Sequence, residues 1–381
     1  MTRKEILHSV KRVVVKVGSS ILCDDKGNFS KACVIRICKE LLFLLKEKKE
    51  CILVSSGAIA CGMDMIRVKK RPQELPLLQA CAAIGQGKLM KVYEDFFVKK
   101  KYHTAQILLT QDILHDRQRY LNTRNTFNAL LDLGILPIVN ENDTVVTDEI
   151  RFGDNDRLSA IVSQIVGADL LINLSNVSGV LDQEQKVVSE VQTLKELENL
   201  KRMVFVSKAE KTVGGMKSKL DAARILMSSG IPMMIGDGKD FNILRRIFNS
   251  ENVGTLFVPF KRRTSFTRTW LIYSASPKGK VFLDRGAFEA VWSRGKSLLP
   301  GGIINLEGHF KAGDAVRVLN EKGEEFARGL TNYSREELEK IQGKRSSEIE
   351  QLLGHKFYDE VIHRDNLVLL KEKDGDHESE K

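Results

Sequence analysis

The sequence predicts a layered α/β fold with a mostly parallel sheet, followed by a small β-rich domain. Three observations predict it. Over the first 260 residues, short β-prone runs alternate with amphipathic stretches of helical period. The β-prone runs are apolar throughout rather than alternating, as in strands with helices on both faces. Near residue 260 the texture changes to the polar, basic "KRRTSFTRT" and then to short runs with frequent glycines.

In order, "RVVVKV" reads as a strand and "ACVIRICKELLFLLKEK" as a helix, with Val34, Ile37, Leu41 and Leu44 on one face. "CILVSS" is a strand and "LLQACAAIGQGKLMKVYEDFF" a helix. "AQILLT" is a strand, and "YLNTRNTFNALLDLG" a helix closed by Gly134. "ILPIVNEND" is a strand and "NDRLSAIVSQIVG" a helix. "DLLINLSN" is a strand, "KSKLDAARILMSSG" a helix and "IPMMIG" a strand. Beyond the linker, "KVFLDRGAFEAV", "SLLPGGIINLEG", "AVRVLN" and "EFARGL" read as short β segments. The expected boundaries are an α/β domain over 1–260, a linker over 261–276, a β-rich domain over 277–365 and a charged, disordered tail over 366–381.

No apolar run approaches the roughly 20 residues of a membrane span, and the N-terminus lacks a signal-peptide core. Cysteines 23, 33, 38, 51, 61 and 81 form no CxxC pair and have no His cluster beside them. A disulfide framework or zinc site is not supported, and reduced thiols in a cytoplasmic protein are expected. The net charge of +10 is unevenly placed: 38 basic against 30 acidic residues precede residue 261, and 22 against 20 follow. That balance suits a small anionic substrate of the first domain at least as well as a polynucleotide.

Ligands of open α/β sheets bind beyond the carboxyl ends of the strands. Those ends here carry "KVGSS", "SSGAIACG", "ENDTV" with Asp143, "GDND" with Asn155 and Asp156, Ser175-Asn176, and "VGGMKSK". Each has a plain structural reading: a tight strand exit at Gly18, a helix cap at Ser55 or Ser56, a favourable helix start at "GDND", and a loop with solvated lysines at 213–219. Their conjunction at one sheet edge favours function. GxxxxGK[ST] is absent, since Ala290 stands where the first glycine of a "GKS" loop belongs. "GQGKLM" lacks the third glycine of GxGxxG and lies in a helical run. What remains is two glycine-rich turns offering N–H groups to phosphates, with Lys16 and Lys219 adding charge at a phosphoryl group in flight. Mg²⁺ held mainly by those phosphates fits, because it tolerates few protein ligands. Ser56, Asp143 and Asn155 would hold the acceptor, and Asp with Asn suits an amino acid.

In this order, "VVKVGSS", "VSSGAIACG", "PIVNENDTV", "FGDNDRLSA" and "GGMKSKLDAA" resemble the glutamate 5-kinases of the amino acid kinase family. Residues 277 onward resemble the PUA domain carried by many members. The resemblance covers about residues 10 to 365. It implies a three-layer sandwich and ATP-dependent phosphorylation of the γ-carboxylate of L-glutamate, opening proline biosynthesis. Lys16, Lys219 and Asp156 then fall on catalytic positions, and Ser56, Asp143 and Asn155 on glutamate-binding ones. Lys16, Gly18, Ser175, Asn176 and the run Val213, Gly214, Gly215, Met216, Lys217, Ser218, Lys219 fall on nucleotide-binding ones. The family usually has Asp where Asn176 stands and Thr where Val213 stands, so the departures touch the nucleotide side. A homodimer or tetramer and feedback inhibition by proline are also implied. Two alternatives stay open: another small carboxylate such as aspartate as acceptor, or RNA binding by the second domain. Against the latter, residues 277–354 carry 13 basic and 12 acidic residues, whereas phosphate-backbone binding calls for a clear basic excess.

Overall fold

The computed structural model describes residues 2–110, 113, 117–145, 154–206, 213–259, 277–356 and 358–370. The expected linker 261–276 and residues 371–381 of the expected tail lie outside them. The chain divides into two compact units, the larger reaching to Arg263 and the smaller built mainly from Thr264 onward.

The larger unit is built on an eight-stranded sheet in the order β3-β4-β2-β1-β5-β7-β8-β6. The strands are β1 (Arg12–Val17), β2 (Glu50–Ser55), β3 (Thr104–Leu109), β4 (Leu136–Glu141), β5 (Leu170–Ser175), β6 (Glu190–Val191), β7 (Met233–Asp237) and β8 (Thr255–Phe257). All pairings are parallel except β7 with β8. β1 is central, flanked by β2 and β5, so the chain departs to both sides of it, and such a switch point is where α/β sheets open a ligand crevice.

Alternation within β1 explains its composition. Val13, Val15 and Val17 enter a core with helices α1 (Arg3–Ser9), α2 (Lys31–Lys46), α4 (Leu75–Val98) and α9 (Ile243–Phe248). Full burial of one such side chain contributes about 1.5–3 kcal/mol. Val14 and Lys16 belong to the opposite face, where α6 (Asp154–Ile165) packs on β1 and β5 and against α8 (Val213–Ser228). Of the remaining helices, α5 (Arg117–Asp132) precedes β4 and α7 (Leu194–Val206) packs on α8. Among the described residues, no helix is long and apolar enough to cross a membrane.

α3 (Ala58–Met65) crosses α4 at two glycines. A Cβ on Gly62 would stand 1.8 Å from the Cys81 carbonyl oxygen, and one on Gly85 would stand 2.0 Å from that of Ala58. The backbones touch, which anchors the start of α3 and the strand exit before it. Neither Ser55 nor Ser56 caps this helix, contrary to the plain structural reading. The N-cap is Gly57 at φ +98°, a left-handed conformation that suits glycine, and both serines are free for other bonds.

The smaller unit holds a five-stranded sheet, β10-β9-β11-β12-β13. Its strands are β9 (Gly279–Leu283), β10 (Ile303–Gly308), β11 (Ala315–Leu319), β12 (Glu325–Leu330) and β13 (Leu367–Leu369). Two expectations are corrected here. "KVFLDRGAFEAV" is not all strand: Asp284 ends β9, accepts from the Ala287 N–H at 2.7 Å, and so caps helix α10 (Arg285–Trp292). The tail does not begin at residue 366, because Leu367 and Val368 are buried in β13, paired with β12. Apolar side chains there outweigh the charged run that starts at Lys371.

Candidate active site

The carboxyl end of β1 brings Lys16 to the sheet edge, but the residue is only 5 % exposed. Its partner is Asp156, in the first turn of α6, with Nζ 2.5 Å from Oδ1. Lys219 reaches the same carboxylate from α8, 3.1 Å from Oδ2. Two further donors complete the shell: the Ser218 hydroxyl to Oδ2 at 2.6 Å and the Asn173 amide to Oδ1 at 2.8 Å. Asn173 faces Lys16 because the two are register partners on β5 and β1.

Burial acts against both charges. It would raise the Asp156 pKa, but Lys16 and Lys219 outweigh it and hold the carboxyl well below the usual carboxylate range. Burial lowers the Lys16 pKa; Asp156 opposes that shift and nearby Lys219 adds to it. Two lysines on one aspartate leave a formal charge of +1, which suits an anionic group.

A glycine lies beside each ammonium group. A Cβ on Gly18 would come 3.8 Å from the Lys16 Nζ, and one on Gly215 equally close to the Lys219 Nζ. Segment 213–219, expected as a loop, is instead the beginning of α8. Helical spacing then puts Lys219 one turn after Gly215, whose carbonyl accepts from its Nζ at 2.9 Å. Ser175 ends β5 and Asn176 follows it, the serine hydroxyl donating to the Asn176 Oδ1 at 3.3 Å. Met216 is half-buried and Lys217 exposed. The side chain of Val213 lies outside the described residues.

Asn155, beside Asp156 in the same turn, turns toward β2 and β4. Its Nδ2 donates to the Ser56 Oγ at 2.8 Å, with the Asn140 Oδ1 at 3.2 Å and the Ser55 carbonyl at 3.3 Å. Its own Oδ1 is buried and has no hydrogen-bond partner among the described residues. Asp143 opens a 3₁₀ turn (Asp143–Val145) after β4. With Gln86, Glu141, Asn142 and Thr144 it lines a cavity of about 260 Å³. The structure therefore joins Ser56 to Asn155, and Lys16 and Lys219 to Asp156. Sequence reasoning did not single out Asn140, Asn173 or Gln86. The first two had a signal: a polar amide inside an otherwise apolar buried strand needs a partner.

The amino acid kinase family model matches residues 11–237, and the PUA domain model residues 279–353. A glutamate 5-kinase of Carboxydothermus hydrogenoformans is 46 % identical over 372 residues, covering 96 % of this chain and all of that protein. One from Thermoanaerobacter sp. (strain X514) is 43 % identical over 94 % of this chain and 98 % of its own length. One from Dictyoglomus thermophilum is also 43 % identical, over 96 % of this chain and 99 % of its own.

Proposed function

The chain belongs to the amino acid kinase family, in its glutamate 5-kinase branch, and from that premise we propose how its residues divide the reaction. The protein uses ATP to phosphorylate the γ-carboxylate of L-glutamate, giving γ-glutamyl phosphate and ADP at the head of proline biosynthesis. One observation carries the division of labour. Asp156 holds two ammonium groups at the central strand end, while its neighbour Asn155 joins the acceptor-side residues.

Lys16 and Lys219 neutralise the phosphoryl group as it moves, and Asp156 keeps them apart and aimed. Preorganised charge is most of what phosphoryl transfer asks of a protein. Ser175, Asn176 and the first turn of α8 through Lys217 and Ser218 carry the rest of the nucleotide. Ser56 accepts from Asn155 and keeps its own hydroxyl proton for a substrate oxygen. Asp143 pairs with the α-ammonium. No side chain acts as a base, since a γ-carboxylate is already ionised near neutral pH.

Magnesium fits this donor set as a companion of the nucleotide. Both Asp156 oxygens are engaged, and among the described residues no group of three or more His, Cys, Asp or Glu could hold a metal. When bound, the ion neutralises phosphate charge.

Incubation with ATP, Mg²⁺ and glutamate, with hydroxylamine to trap the acyl phosphate, should yield the γ-hydroxamate. Product from aspartate and none from glutamate would overturn the acceptor.

A further inference from the structure

Asn155 has a polarity that its own helix does not fix. An amide can lie either way round, presenting oxygen or nitrogen to a ligand. Here three neighbours bear on the choice. Asn140, 2 % exposed on β4, accepts the Glu141 backbone N–H on its Oδ1 at 2.9 Å and donates its Nδ2 to the Gln86 Oε1 at 2.9 Å. A backbone N–H can only donate, so the oxygen of Asn140 is committed. That oxygen faces Asn155 and demands a donor, so Asn155 turns its Nδ2 inward. The Ser55 carbonyl, at 3.3 Å, makes the same weaker demand. The Asn155 oxygen is left buried and, among the described residues, unpartnered, and a buried acceptor without a donor is costly.

We propose that Asn140 is a positioning residue, which relays the direction of a β4 peptide to Asn155 so that the site presents a carbonyl oxygen, and thereby selects an acceptor substrate bearing an ammonium group. The proposal rests on the assignment of Asn155 to the glutamate side and adds the reason for its orientation. Gln86, on α4, holds the other end of the Asn140 amide. With Asn140 in place, a reversed Asn155 would set oxygen against oxygen. Without it, only the Ser55 carbonyl resists reversal, and the preference for an ammonium weakens.

The test compares L-glutamate with glutarate, the same dicarboxylate lacking the ammonium, by the ratio of their kcat/KM values in the full-length enzyme. Asn140→Leu is expected to lower that ratio about tenfold, as for loss of one well-made hydrogen bond, with KM for ATP unchanged. Asn140→Asp, which still offers an acceptor to both Glu141 N–H and Asn155, is expected to retain it. Gln86→Leu, at a half-buried position, is expected to lower the ratio about threefold, and carries the test if Asn140→Leu does not fold. An unchanged ratio in the leucine variants, or equal loss in Asn140→Asp, overturns the relay. Asn155→Ala separates the two layers. If it leaves the glutamate KM unchanged, the site assignment itself fails. If it raises that KM while the leucine variants keep their ratio, only the relay fails.

Discussion

The two halves of the proposed site are built on opposite principles. On the phosphoryl side every oxygen of Asp156 is occupied, and the charges are buried and compensated by one another. Around Asn155 on the acceptor side the contacts are neutral amides and hydroxyls, and its buried oxygen has no donor among the described residues. The difference teaches where the folding free energy has been committed. The charged half is part of the protein's stability, because removing the shared carboxylate strands two ammonium groups in a low-dielectric setting. The contacts around Asn155 carry no charge, and under the proposed assignment the substrate completes them.

Asp156→Ala should therefore show the largest effect, and on two readouts. Loss of the carboxylate leaves two buried ammonium groups unpaired, at a cost of about 3–5 kcal/mol in urea unfolding, along with turnover. Because the folded pKa of Asp156 is depressed, its contribution is present above the unfolded value of about 4 and is lost as pH falls through the lower folded one. Wild type should lose stability in that acid window and the variant should lose less. Stability unchanged at pH 7 would remove the contrast between the halves.

Lys16→Ala comes next. Asp156 keeps Lys219, Ser218 and Asn173 as partners, so the fold should persist while kcat falls about 10³-fold or more. Near-normal turnover would refute its placement at the moving phosphoryl group. Asp143→Ala is the smallest perturbation. It should raise the glutamate KM about ten- to a hundredfold, as for loss of a charged contact, with unfolding and the ATP KM near wild type. A defect in ATP binding alone would move Asp143 to the other half.

The charged half was the more legible in sequence. Lys16 interrupts a run of valines, and Asp156 and Lys219 open amphipathic helices, so each breaks a local pattern in view. Their convergence on one carboxylate was not legible, since it depends on β1 and β5 being neighbours although more than 150 residues apart. The neutral half was less legible. Ser56 and Asn155 stood out beside glycines, but Asn140 was absorbed into the strand "ILPIVN" and Gln86 into a helix. The α3–α4 crossing was missed because Gly62 and Gly85 meet only in space, and α3 itself is short.

The first turn of α6 holds both halves through adjacent residues, Asn155, proposed to bind the acceptor, and Asp156, which holds the two lysines. Consecutive Cα atoms are about 3.8 Å apart whatever the rest of the chain does. Under the proposed assignment the gap between donor and acceptor is referenced to one peptide unit, a covalent ruler, rather than to the meeting of separately packed elements. Breathing of the sheet or of α8 can loosen either pocket, but the separation of their two anchors on α6 stays the same.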